Sequence, residues 1–132
     1  MPEELSQSDE VTRIKDVPRN LKQYFLGLLV KGERWNDPEG EQAAELMPLQ
    51  LAFLREQLES QRYLVAGPVL DEGRLAGVMI IDAKTAEDAR ALASLDPAVK
   101  AGRLAVEVYP TFLPSLDNVR AEYWPAKVPG GK

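Results

Sequence analysis

The apolar positions of the chain change period along its length, and each change predicts an element. From Lys22 to Lys31 nearly every position is apolar, which suits a strand covered on both faces. Gly32 to Gly40 breaks the run with Gly, Asn, Asp and Pro, and reads as a loop carrying Arg34 and Trp35. From Glu41 to Gln61 the spacing becomes helical, with Met47, Leu51, Leu54 and Leu58 on one expected buried face. Pro48 interrupts this helix. An interior proline costs about 3 kcal/mol, so the helix is expected to kink or restart there, with Gln50 in a first turn on the flank of the apolar stripe.

Tyr63 to Asp71 reads as a second strand, Glu72-Gly73 as a hairpin turn, and Leu75 to Asp82 as a third strand. Pro68 cannot donate to a sheet ladder, so the second strand is expected at an edge or a bulge. Thr85, three residues before Asp88, resembles a capping box opening a helix whose buried stripe is Ala86, Ala89, Leu92 and Ala93. Asp96-Pro97 then starts another helical turn, and Leu104 to Tyr109 forms a fourth strand that Pro110 ends. The order strand, helix, strand, strand, helix, strand predicts an α+β fold: the ferredoxin-like βαββαβ arrangement, with helices on one face of a four-stranded antiparallel sheet.

That arrangement leaves a sheet face uncovered. Tyr24, Leu26, Leu28 and Val30 lie on one face of the first strand and Phe25, Gly27 and Leu29 on the other, while Ala76, Val78 and Ile80 oppose Leu75, Gly77, Met79 and Ile81 on the third. Two helices cover only one face, so a homodimer packed sheet against sheet is expected. Residues 1–20 read as an N-terminal arm, 21–112 as the domain, and 113–132 as a tail. The aromatic residues of the tail suit an arm laid over the body or a partner.

Composition narrows the chemistry. With 132 residues and 45% apolar content the chain has enough material for one core. A net charge of -5 and a pI near 4.8 disfavour nucleic-acid or anionic-membrane partners, which need concentrated basic surface. The RNA-recognition motif shares this topology, but its aromatic and basic signature is missing from Leu75 to Ile81. Without histidine or cysteine, the usual general base and the thiolate ligands are absent. The acidic pairs Asp71-Glu72 and Glu87-Asp88 sit at a turn and a helix start, where acids are expected anyway. No metal and no cofactor are expected. The N-terminus lacks the order of a signal peptide and no apolar run reaches membrane-spanning length, which predicts a cytoplasmic protein.

Asp96 is the leading chemical candidate. As residue before a proline it caps a helical turn; continued from the preceding helix it also falls on the sheet-facing side, where it would line a pocket and where desolvation would raise its pKa and fit it for acid–base work. Gln50 is either a satisfied boundary side chain or a hydrogen-bonding partner for a ligand. Arg34 and Trp35 belong either to a solvent-facing loop or to one that caps a pocket, where they would bind a carboxylate and stack on a ring.

Gln50-Leu51-Ala52-Phe53-Leu54-Arg55, then Leu64-Val65-Ala66-Gly67-Pro68, then Ala89 through Leu95 into Asp96-Pro97-Ala98-Val99-Lys100-Ala101-Gly102 resembles the YCII-related (YciI-like) domain family, in its order and spacing. The resemblance implies a dimeric α/β barrel. One relative eliminates chloride from a chlorinated hydroxyquinol without a cofactor, so the resemblance also implies a scaffold able to host chemistry. The family's proposed pair is a histidine at the start of the Leu-Ala-x-Leu helix and the Asp of the Asp-Pro pair. Asp96 matches the second, while Gln50 stands at the first and cannot titrate. Three readings follow: a dimeric protein binding a small organic ligand near Asp96 and Gln50, a cofactor-independent lyase or isomerase using Asp96, or an interaction module whose interior is filled by side chains.

Overall fold

In the computed structural model, residues 16–36 and 41–123 are described. The strands are β1 (Leu21–Lys31), β2 (Tyr63–Pro68), β3 (Leu75–Ile81) and β4 (Leu104–Pro114); the helices are α1 (Glu41–Ser60), α2 (Ala86–Ala93) and the short α3 (Pro97–Lys100). The strands lie in the order β2-β3-β1-β4 with every neighbouring pair antiparallel. This is the α+β, ferredoxin-like topology expected from the apolar pattern. β1 is central because it is apolar on both faces, and β2 and β4 are the edges. The arm before Asp16, the loop residues 37–40 and the end from Trp124 lie outside the described residues.

Alternation along β1 divides its side chains between two environments. Phe25 and Leu29 face the helices, where they join Met79, Ile81, Leu104 and Val108 in a core closed by Ala89 and Ala93 of α2. The alanines let α2 sit close to the sheet. Its start is fixed by Thr85, whose hydroxyl accepts from the Asp88 amide at 3.0 Å, as the capping pattern predicts.

Two prolines leave their elements continuous. α1 runs through Pro48 without restarting. Pro48 and Ala44 are both exposed, so the carbonyl that loses its helical partner is left to water. β4 likewise continues past Pro110 to Pro114, pairing with β1 as far as Leu21. An edge strand leaves alternate amides without a neighbour, and a residue lacking N–H is accommodated there. The same rule places Pro68 at the end of edge strand β2, where the strand stops short of the predicted Asp71.

The buried stripe of α1 is also rotated. Met47 and Leu51 are each 56% exposed, while Phe53, Leu54 and Leu58 pack on the core and Gln57 is buried. Glutamine is tolerated inside because its partner is fixed: Gln57 Oε1 accepts from Arg62 Nε at 2.9 Å.

On the opposite sheet face, Leu26, Leu28, Val78 and Ile80 remain partly exposed and Val65 and Tyr109 more so. Arg74 pairs with Glu107 beside them. Tyr24 and Val30 are buried on this face, and at Tyr24 the described part of the tail reaches the side chain, the Leu116 amide donating to its hydroxyl at 2.8 Å. Further on, the ring of Tyr123 meets the guanidinium of Arg55 on α1 at 4.0 Å.

Beyond β1 the chain turns back against the start of β4. Gly32 N donates to Arg103 O at 2.8 Å and Arg34 N to Gly102 O at 2.9 Å, so the two segments are zipped together. A Cβ on Gly32 would collide with the Gly102 carbonyl oxygen, and Gly102 itself has φ +79, which glycine adopts without strain. Gly32→Ala is therefore expected to lower stability by about 1–3 kcal/mol, read as an earlier denaturation midpoint at unchanged slope. Gly67→Ala, where a Cβ meets nothing within 4 Å, is the matched control and should leave the midpoint unchanged or slightly later. Equal midpoints for the two variants would contradict the close approach.

Candidate functional site

Asp96 ends the turn after α2 and begins α3. Its Oδ1 accepts from the Ala98 amide at 2.8 Å, with Pro97 supplying the preset backbone of the first helical position. Its other oxygen, Oδ2, accepts from Gln50 Nε2 at 3.1 Å across 46 residues of sequence. The carboxylate is only 1% exposed. Asp96 is thus a helix cap, as the sequence pattern predicts, and it is also hydrogen-bonded to Gln50 on α1.

Burial pushes the Asp96 pKa up from its ordinary value of 3.8, while the hydrogen bonds from Gln50 and the Ala98 and Val99 amides oppose the rise. No cation shares the carboxylate in an ion pair among the described residues. Beside it lies Tyr63, 1% exposed, its hydroxyl without a hydrogen-bond partner among the described residues. Burial foremost, and then the charge of Asp96, drive the phenol pKa well above its usual range. Tyr63 is accordingly a neutral donor. Its ring packs edge-on to Phe53 at 6.1 Å. The sequence pattern marks Tyr63 only as the start of a strand, and its proximity to Asp96 comes from the tertiary fold.

Between the front half of α1 and the sheet lies a cavity of about 380 Å³. Leu29, Leu46, Leu54 and Leu104 supply apolar wall, Gly67 and Gly77 leave room on the sheet side, and the half-exposed Met47 and Leu51 form part of the lining. Gln50 is on the wall. Asp96 is behind it and does not line the cavity. Asp96 orients the Gln50 amide: Oδ2 accepts from its NH₂ group, and Oε1 is left as a hydrogen-bond acceptor.

Of the two loop residues expected at the pocket, Trp35 lines it and Arg34 does not. Arg34 is exposed, and its stem lies over Gly102. The arginine brought to the cavity is instead Arg103, which donates from Nη1 to Trp35 O at 2.9 Å and lays its guanidinium over the Trp35 ring at 4.5 Å. Sequence reading missed Arg103 because its neighbour in space is 68 residues away. Among the described residues no group of acidic side chains is arranged to hold a metal ion, and no helix is long and apolar enough to cross a membrane.

The family model of the YCII-related domain matches residues 22–112, more than half of the chain. The chain belongs to the YCII-related domain family. The match runs from β1 into β4, so every residue of the cavity falls within the YCII-related domain. Among solved structures, 5-chloro-2-hydroxyhydroquinone dehydrochlorinase from Burkholderia phenoliruptrix AC1100, in complex with 2,5-dihydroxybenzoquinone, is similar at 24% identity and a TM-score of 0.44. That similarity covers 65% of this chain and 90% of that one. The search of curated proteins finds no match.

The raised Asp96 pKa sets a sign for the pH dependence of stability. The native state holds this proton more tightly than the unfolded state, so the associated stability is present below pH 3.8 and is lost as pH rises through the native pKa. Relative to Asp96→Asn, which keeps a capping oxygen and does not titrate, the native protein should lose stability from about pH 4 upward and then level off. Chemical denaturation of both proteins from pH 3 to 8 measures this; a difference independent of pH would show an unperturbed carboxyl.

Proposed function

We propose that this YCII-related protein binds a small, largely apolar organic molecule in the cavity between α1 and the sheet, with Gln50 as its hydrogen-bonding contact and Asp96 as the group that positions Gln50. The observation carrying this reading is the pairing of an apolar cavity of about 380 Å³ with an amide held in one orientation by a buried carboxylate. That volume is at the lower end of small-molecule sites and suits a substituted ring. Ligand binding is favoured over direct proton transfer because the group facing the cavity is an amide, while the titratable Asp96 stands behind it.

The test is a thermal-shift and calorimetric titration with p-cresol, 4-hydroxybenzamide and 4-hydroxybenzoate. Each offers a ring and a hydroxyl donor. Saturable stabilisation by at least one is expected. Gln50→Leu, which removes the acceptor at similar size, should weaken binding by about three- to tenfold. Absence of a saturable shift with all three would overturn the reading.

The second part of the proposal is assembly. The chain is read as a homodimer joined through its open sheet face, which would complete a dimeric α/β barrel. Partial exposure of Leu26, Leu28, Val78 and Ile80 on one contiguous apolar surface supports this. Sedimentation at micromolar concentration should give twice the 14.6 kDa chain mass, and Ile80→Glu should give the monomer. A native protein that sediments as a stable monomer would contradict it.

A further inference from the structure

Arg103 sets the cavity's electrostatics. It is half-buried on the cavity wall, yet no carboxylate pairs with it among the described residues. By contrast, Arg55 pairs with Glu59 and Arg74 with Glu107. The protein acceptor Arg103 uses is the Trp35 carbonyl, which leaves most of the five guanidinium donors without an acceptor among the described residues. A partly desolvated guanidinium without an anion is unfavourable unless something else answers its charge.

The group is also held in place. Its backbone N–H donates to Ala98 O at 3.0 Å, its carbonyl accepts from Gly32, and the face of Trp35 supports the guanidinium plane. Lys31 Nζ lies 5.2 Å from the centre of the same indole ring, and among the described residues no acidic side chain lines the cavity. The Trp35 end is therefore the electropositive end. At Gln50 the polarity is reversed, since Asp96 takes the amide NH₂ and leaves an acceptor. The cavity thus combines a planar donor fork, apolar walls and an acceptor.

We infer that the ligand of this site is an organic carboxylate: a ring-sized acid whose carboxylate docks on Arg103 above Trp35 and whose hydroxyl or amine donates to Gln50 Oε1. The inference rests on the cavity being the ligand site. The fork geometry of Arg103 matches a carboxylate through two parallel hydrogen bonds, which a single neutral acceptor cannot reproduce. The amide of Gln50 keeps this anion from direct contact with Asp96.

The three probes separate this inference from the underlying one. At pH 7, 4-hydroxybenzoate carries the anion, 4-hydroxybenzamide keeps its shape without the charge, and p-cresol lacks both. Calorimetry with the native protein should show the carboxylate binding about tenfold or more tightly than the amide. Arg103→Gln should collapse that ratio towards one, and Arg103→Lys, which restores the charge without the fork, should recover only part of it. Saturable binding of p-cresol or the amide with equal affinity for the carboxylate would overturn the carboxylate assignment while leaving the cavity as a ligand site. Binding of none of the three would overturn both. Should Arg103→Gln fail to fold, the carboxylate-to-amide ratio of the native protein decides the matter, supported by its fall in high salt.

Discussion

The site depends on a buried carboxylate that accepts on both oxygens. Asp96 Oδ1 closes the first turn of α3, and Oδ2 reaches the front half of α1. Neither helix makes this link alone, because α3 is a four-residue turn and α1 has a modest apolar stripe interrupted by polar side chains. Burial of a charge is ordinarily unfavourable, and the rise in the Asp96 pKa expresses that cost. Directed donors on both oxygens reduce it. The result is a fixed distance between helices and a fixed orientation for Gln50.

A second constraint comes from backbone rather than side chains. The approach of Gly32 to Gly102 lets the turn after β1 bond to the start of β4, and the consequence is the stacked pair of Trp35 and Arg103. These two anchorages hold different residues on the wall of one cavity. The Asp96 link delivers an acceptor, and the glycine approach delivers a donor. The chemical polarity of the site thus emerges from contacts between segments far apart in sequence.

Legibility of the sequence followed the range of the interaction concerned. Strand and helix types, the Thr85 cap and the edge position of Pro68 rest on local pattern, and they were readable. The Asp96–Gln50 pair was reachable because helical geometry turns position 96 inward and the family resemblance placed position 50 opposite it. The restart expected as one outcome at Pro48 does not occur, and Pro110 was misread as a strand end, since the cost of a proline depends on whether the orphaned carbonyl or missing donor faces water or an open edge. Arg34 was chosen over Arg103 because it adjoins Trp35 in sequence. What decides the matter is a pair of backbone hydrogen bonds to residues 102 and 103, and no local pattern encodes them.

The prolines on the outer strands have a consequence for solubility in crowded conditions. β2 ends on Pro68, and β4 carries Pro110 and Pro114, so both lateral margins of the sheet are interrupted as templates for further strands. A foreign strand adding there would find donors missing from the ladder. The chain thereby discourages open-ended edge-to-edge growth of its sheet.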